Sequence, residues 1–355
     1  MNGASTSRPP PADAWRVEES EFPRDATVPE QLGYLLRYAI LASSLYNTQP
    51  WRFRITDAGL DLFADRSRWL PLADPQARQM IVACGAALFN LRTAAGCHGV
   101  ALRVDVCPDP RDPDWIARCA VAGEVAKRVD ETALLRAIPM RRTHHKSFAR
   151  DAPPPTPALL DRLKQAADAH AIQLSFAADD AAKTAVADIV AEAERRDLAD
   201  PGFVAERERW IRPEQSDRPD GVPRSYLLNL RELPDFGAPE WAQEIGAAET
   251  GTYQVERLRS LVRASPVLAL LSSCQDGREP WLAAGEALKH IVLIARNAGI
   301  WASYLNGPIQ RQALRSRLGP LFHNAAFPQV LLRMGYGFEP PPTARRALED
   351  VLDGY

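Results

Sequence analysis

The chain predicts an α+β fold built from two related units, each a mixed, mainly antiparallel sheet with helices on both faces. Three observations lead there. Long stretches carry helical periodicity, beginning with Leu32, Leu35, Leu36, Ala39 and Ile40 at i, i+3, i+4, i+7 and i+8. Short apolar or alternating runs fall between them, one pair close enough to form a hairpin. Two long helical segments also echo each other 200 residues apart: Gly85, Ala87, Leu88, Ala95 and Gly99 match Gly285, Ala287, Leu288, Ala295 and Gly299. Ala and Leu are common in any helix, but each segment is followed by a strand, so a duplicated unit is the economical reading. Two such units would pack in one chain as the subunits of a homodimer do.

Residues 1–26 are rich in Pro and polar side chains and read as a flexible lead-in. A first unit is expected over 27–129. Thr27 caps its opening helix, with Pro29 in the first turn. Arg52–Ile55 and Leu60–Ala64 read as a hairpin around Asp57-Ala58-Gly59. Asp74 is placed to cap a helix from about Gln76 to Cys97, and strands follow at Ala101–Cys107 and Trp115–Ala122. A second unit is expected over 130–355. Thr156-Pro157 opens a helix to about His170, a strand spans Ile172–Phe176, and Asp179 or Asp180 caps a helix to Arg196. Residues 200–250 have weak periodicity and much Pro, Gly, Trp and charge; they read as a long insertion that serves as a lid. Pro266–Ser272 and Gln329–Gly335 are continuous apolar strands, and Gly285–Asn297 is the second long helix.

Composition narrows the function. Of 355 residues, 46% are apolar and 25% charged, as in an ordinary globular core. A net charge of −2 argues against a nucleic-acid partner. The five cysteines include no C-x-x-C pair, so neither a disulfide framework nor structural zinc is expected, and a reducing cytoplasm fits. No signal peptide is visible, and the longest apolar run, Pro266–Leu271, is too short to cross a membrane.

Three stretches carry candidate chemistry. Ala42-Ser43-Ser44-Leu45-Tyr46-Asn47-Thr48-Gln49-Pro50-Trp51-Arg52-Phe53 joins a helix to a strand through a turn of hydrogen-bonding side chains. Such a turn fills a core poorly and suits a flat ligand with polar edges. Arg141-Arg142-Thr143-His144-His145-Lys146-Ser147-Phe148 has basic or titratable groups at five of its first six positions. A bare charge run is more often a solvated turn. Here a hydroxyl sits among arginine forks, and that set suits a phosphate monoester, at roughly 1.5–3 kcal/mol per charge-assisted bond. No carboxylate or thiol stands at ligand spacing beside the histidines, so no metal is expected. Thr343-Ala344-Arg345-Arg346 gains weight only if the fold returns it to Arg141.

Together these stretches resemble the Acg-like, FMN-binding branch of the nitroreductase superfamily over about residues 29–352. Ala83-Cys84-Gly85-Ala86-Ala87-Leu88 and Pro328-Gln329-Val330-Leu331-Leu332-Arg333-Met334-Gly335-Tyr336-Gly337 carry the same likeness. The resemblance implies a nitroreductase-like fold and an FMN site. Ser43, Ser44, Asn47, Gln49, Pro50, Trp51 and Arg52 would meet the flavin, while Arg141, Arg142, Thr143, Lys146, Arg345 and Arg346 would hold its phosphate. Ser43 stands where the family often has Pro, Tyr46 where it often has His or Gly, and His145 where a second Arg is common. Each motif occurs once, so the pseudo-dimer would hold one FMN between its units and act as a monomer, with further assembly into a homo-oligomer left open. No G-x-G-x-x-G run marks a separate nicotinamide domain.

The flavin would carry the chemistry, with no catalytic side chain evident. The first reading is an NAD(P)H-dependent reductase of nitro-aromatic or quinone-like acceptors. The second is FMN storage without turnover, the flavin covered by a lid bearing Trp210, Tyr226, Phe236, Trp241 and Tyr253. A third, a flavin-free scaffold, would give a colourless protein.

Overall fold

The computed structural model describes residues 13–227, 247–324 and 326–353. Helix α1 (Val28–Ala39) opens on a capping box: the Thr27 backbone N–H and hydroxyl both donate to Glu30 Oε2, at 2.9 and 2.7 Å. Its buried face is Leu32, Leu35, Leu36 and Ala39. Strands β1 (Trp51–Thr56) and β2 (Gly59–Ala64) form the expected hairpin, in register from Trp51↔Ala64 to Thr56↔Gly59. Helix α2 (Arg78–His98) begins slightly later than the sequence suggests. Ala77 takes a left-handed φ of 58° before the first turn, and Asp74 Oδ2 accepts the Met80 N–H at 3.0 Å rather than acting as the cap itself. Strands β3 (Val100–Val106) and β4 (Trp115–Glu124) complete a four-stranded sheet of order β1-β2-β4-β3.

The rest of the chain supplies α3 (Thr132–Ala137), α4 (Pro157–Asp168), β5 (Ile172–Phe176), and α5 (Asp180–Leu198), which Asp179 caps. Then follow α6 (Pro201–Glu208), β6 (Ile211–Arg212), β7 (Val222–Pro223), α7 (Ala247–Arg263) and β8 (Val267–Ser273). The chain continues through α8 (Arg278–Asn297), β9 (Trp301–Tyr304), α9 (Gln312–Leu321) and β10 (Phe327–Gly335). A second four-stranded sheet has the order β5-β8-β10-β9. Every ladder in the two four-stranded sheets is antiparallel; the only parallel strand pair among the described residues is β6 with β7. The fold is α+β, with less parallel pairing than a mixed sheet would carry.

Two features place the site. First, α2 and α8 cross at their glycines. A Cβ on Gly85 would lie 2.1 Å from the Leu282 carbonyl oxygen, and one on Gly285 would lie 2.1 Å from that of Val82. Gly99 and Gly299 then follow the two helices with left-handed φ of 84° and 78°. Second, the chain's end returns to the first sheet. Phe53 N–H donates to the Val351 carbonyl and Asp353 N–H to the Phe53 carbonyl, both at 2.7 Å. By length and composition α2 could span a bilayer, but 89% of its apolar window is buried inside the protein.

Residues 13–26 do not behave as a loose lead-in. Trp15 and Phe22 are buried, Phe22 stacks on His98 at 4.4 Å, and Tyr34 Oη donates to the Glu18 carbonyl at 2.6 Å. The expected 200–250 insertion carries α6, β6, β7 and a single helical turn, Arg224–Leu227, among its described residues. Trp210 packs with Leu45, Tyr46, Phe203, Leu70 and Ala73. Phe236, Trp241 and the Tyr226 side chain lie outside the described residues.

Candidate functional site

A cavity of 330 Å³ lies between the α1–β1 turn, the Arg141 segment, the C-terminal return and helices α5 to α7. That is within the size range of small-molecule pockets, about 300–1,000 Å³. Ser43, Ser44, Asn47, Arg141, Arg142, Thr143 and Arg345 all line it, so residues nearly 300 positions apart in sequence share one wall.

The turn side is strained. Tyr46, Asn47 and Gln49 adopt left-handed φ of 46°, 55° and 52°. Asn accepts this readily, whereas Tyr and Gln do so rarely. Such conformations cost roughly 1–3 kcal/mol each and persist only where surrounding bonds over-determine them. Here they do. Asn47 Nδ2 donates to the Gly221 and Ala344 carbonyls at 3.1 and 2.9 Å, and its Oδ1 accepts from Arg345 Nη1 at 2.8 Å. Gln49 Nε2 donates to the Pro219 carbonyl at 2.7 Å, its Oε1 accepts the Arg346 N–H at 2.8 Å, and its own N–H donates to Ser44 Oγ at 2.8 Å. The amides that the sequence offers to a ligand are therefore joined to the insertion and the C-terminal return.

The cation side is different. Arg141, Lys289, Arg333 and Arg345 are each at most 4% exposed. Arg141 Nη1 donates to Thr143 Oγ1 at 3.4 Å. Lys289 Nζ is buried without a hydrogen-bond partner among the described residues. Burial pushes the Lys289 ammonium well below its usual range, and the charges of Arg141, Arg345 and Arg142 push it further. Burial likewise lowers Arg141. No carboxylate among the described residues pairs with Lys289, and buried cations in such surroundings favour an anion beside them. His144 and His145 beside it are held neutral, lowered to about 4 and about 3, by burial and then by the Arg333 charge.

Six expected residues lie off the cavity wall. Trp51 is fully buried on β1, and Gln49 and Pro50 sit behind the turn. Arg52 pairs with Asp353 at 2.9 Å. Lys146 is exposed, though its carbonyl accepts from His144 Nδ1 at 3.1 Å. Arg346 donates to the Gln49 and Trp51 carbonyls at 3.1 and 3.4 Å and lies 3.5 Å from Asp65, so it fixes the turn from behind. Lys289 and Tyr304, which donates to Ser43 Oγ at 2.8 Å, went unnoticed in the sequence. Lys289 had a signal: it follows Leu282 and Gly285 on the apolar stripe of α8.

The far end of the cavity is lined by Val190, Glu194, Phe203, Arg207 and Leu258. Glu194 accepts from Gln254 at 2.6 Å and Arg207 at 3.3 Å, and burial raises its carboxyl.

No family model matches the chain. Among curated proteins, "Putative NAD(P)H nitroreductase acg" of Mycobacterium tuberculosis is 31% identical over 328 residues, covering 89% of this chain and 93% of that protein. The chain belongs to the Acg-like nitroreductase family. "Putative NAD(P)H nitroreductase Rv3131" of the same organism is 30% identical over 340 residues, covering 91% of each chain. Matches among solved structures include the FMN and NADPH-dependent nitroreductase NfnB from sphigopyxis sp. strain HMH, at 17% identity and a TM-score of 0.38 over 62% of this chain and 98% of that one. The FMN-dependent nitroreductase NfnB from Mycobacterium smegmatis in complex with NADPH matches at 16% identity and a TM-score of 0.34, over 63% and 98%. This Acg-like protein keeps both of its single-copy motifs, Ser43–Asn47 and Arg141–Thr143, on one cavity.

Proposed function

We propose that this Acg-like protein is an FMN-dependent NAD(P)H oxidoreductase acting on nitro-aromatic or quinone-like acceptors. One observation carries the reading: the buried cations Arg141 and Arg345, with Lys289, unpartnered among the described residues, beside them, share a cavity with the Ser43–Asn47 turn. Arg141, Thr143 and Arg345 would hold the phosphate, with Lys289 adding to the field behind them, and Ser43, Ser44 and Asn47 would border the ring system. Bound FMN supplies two-electron transfer between a nicotinamide donor and an acceptor. The chain's own residues bind, orient and shield. Phe203, Leu258 and Val190 exclude water at the far end, which strengthens every electrostatic contact inside.

The proposal extends to a monomer of two duplicated units, 27–129 and 130–355, with one FMN per chain. The reciprocal contacts Gly85–Leu282 and Gly285–Val82 support it, because a two-fold relation maps each onto the other. It also places the protein in the cytosol, supported by five unpaired cysteines. The test is optical. Purified protein should show the double absorption band of oxidised flavin, release one FMN per chain on denaturation, and bleach with anaerobic NADPH or NADH. Colourless protein that takes up no FMN ends the proposal.

A second reading, FMN storage, is favoured by the way residues 219–222 fasten onto the turn through Asn47, Gln49 and the Arg68–Asp220 pair at 2.5 Å. Deleting residues 212–248 separates the two. A faster bleach on deletion supports a cover; an unchanged rate removes it.

A further inference from the structure

We infer that Trp15 is a positioning residue that holds the phosphate-binding arginines in place, the N-terminal segment thereby becoming part of the site. The inference rests on the FMN reading above. Three guanidinium groups surround one indole: Arg142 Cζ is 3.9 Å from the Trp15 ring centroid, Arg345 Cζ 4.5 Å and Arg141 Cζ 6.0 Å. These cations come from two distant parts of the chain, the start of the second unit and the C-terminal return. Trp15 comes from a third, and its Nε1 donates to the Thr343 carbonyl at 2.8 Å, two residues before Arg345.

The electrostatics explain why a tryptophan belongs there. Like charges brought together in a buried site repel, most strongly when no anion is bound. Two acids that follow Trp15 in sequence are paired elsewhere: Glu19 with Arg136 at 2.7 Å and Glu21 with Arg37 at 2.8 Å. A carboxylate among the arginines would hold them but would also compete with a ligand phosphate. An indole face attracts guanidinium groups through its quadrupole without placing a second anion beside them. Trp15 is 7% exposed and does not line the cavity, so it acts through the arginines.

The segment is anchored well enough for this. Arg37 Nη2 donates to the Arg16 carbonyl at 3.0 Å, and Phe22 stacks on His98. Trp15 thus joins a pinned backbone to the cation group.

The experiment compares FMN with riboflavin, which lacks the phosphate, on wild type, Trp15→Ala and Trp15→Phe. Affinity is read by flavin fluorescence quenching, and thermal stabilisation by inorganic phosphate is read in parallel. Wild type should prefer FMN. Trp15→Ala should bind FMN about tenfold or more weakly, as expected for losing contacts of this class, with riboflavin affinity unchanged. Trp15→Phe keeps a π face and should recover most of the loss. Equal weakening of FMN and riboflavin in Trp15→Ala, or no weakening, overturns the inference, since mere packing would give the former. If wild type makes no distinction between the two flavins, the FMN phosphate reading fails instead. Phosphate then decides about Trp15: stabilisation of wild type lost in Trp15→Ala upholds the positioning role, and equal stabilisation, or none in either, overturns it.

Discussion

The Ser43–Asn47 turn and the cations Arg141 and Arg345, beside which Lys289 lies, border one cavity, yet the turn and the cation group are built on opposite principles. Asn47 and Gln49 have left-handed backbones, and their side-chain amides are fully engaged with the protein. Lys289 has a relaxed helical backbone and an ammonium with no partner among the described residues. The turn stores backbone strain and offsets it with internal bonds, so it fixes shape. The cation group leaves electrostatic demand unmet, so it selects a ligand. Removing a residue from the two sides should therefore have opposite consequences for the empty protein.

The largest effects should come from the cation side. Arg141→Ala should weaken FMN binding by roughly tenfold to a hundredfold, the range of one charge-assisted bond of ~1.5–3 kcal/mol. Lys289→Met should also weaken FMN while stabilising the ligand-free protein by about 1–3 kcal/mol, because a buried polar group without a partner is costly. Urea unfolding of the two ligand-free proteins measures this. A destabilised Lys289→Met would mean the ammonium has a structural partner, and the contrast with the turn would break.

Next in size is the turn. Asn47→Ala removes bonds to Arg345, Gly221 and Ala344 and leaves a β-carbon residue at a φ of 55°. It should cost about 2–4 kcal/mol with or without FMN, from lost hydrogen bonds plus strain. Asn47→Gly, which tolerates that φ, should cost less. Equal losses for the two variants would show that strain contributes nothing.

Local patterns in the sequence account well for the scaffold. The Thr27/Glu30 cap, the hairpin alternation and the apolar runs of β5, β8 and β10 are each decided by neighbours within a few residues. Strand β9, only Trp301–Tyr304, was too short to stand out, and α7 was obscured by the Pro- and Gly-rich stretch before it. The site was legible as a set of motifs but not residue by residue. Arg345 and Arg346 look equivalent on paper. In the non-helical return, Arg345 reaches the cavity while Arg346 turns behind the turn toward Asp65. Trp51 reads as a ligand platform, but β1 carries it into the core. Trp15 carries no local signal of its role, and a lysine on the apolar stripe of α8 is the only one for Lys289, because both depend on packing between segments more than a hundred residues apart.

Acid should destabilise the protein in part through the histidines of the cation side. His144 and His145 ordinarily titrate near 6.5, but burial and Arg333 lower them to about 4 and about 3 in the folded protein. The unfolded chain therefore binds more protons across that interval, so this contribution to stability is complete above pH 6.5 and lost as pH falls from 6.5 toward 3. His145→Gln should flatten the fall in melting temperature between pH 7 and pH 4. An unchanged slope would assign the acid sensitivity to groups outside the site.

The smallest effect concerns the insertion where it meets the turn. Asp220 accepts from Arg68 Nη2 at 2.5 Å and Arg212 Nη2 at 2.7 Å, tying residues 219–222 over Asn47 and Gln49. Asp220→Asn keeps the size and some hydrogen bonding but removes the charge. If these residues gate access, anaerobic NADPH should bleach bound FMN roughly twofold to tenfold faster, since about 1 kcal/mol of closure energy is worth somewhat less than tenfold in rate. FMN affinity should change little, because the phosphate group of cations is untouched. A drop in affinity without a faster bleach would make the insertion part of the binding wall, and the division between a shape-fixing turn and a ligand-selecting cation group would have to include it on the ligand side.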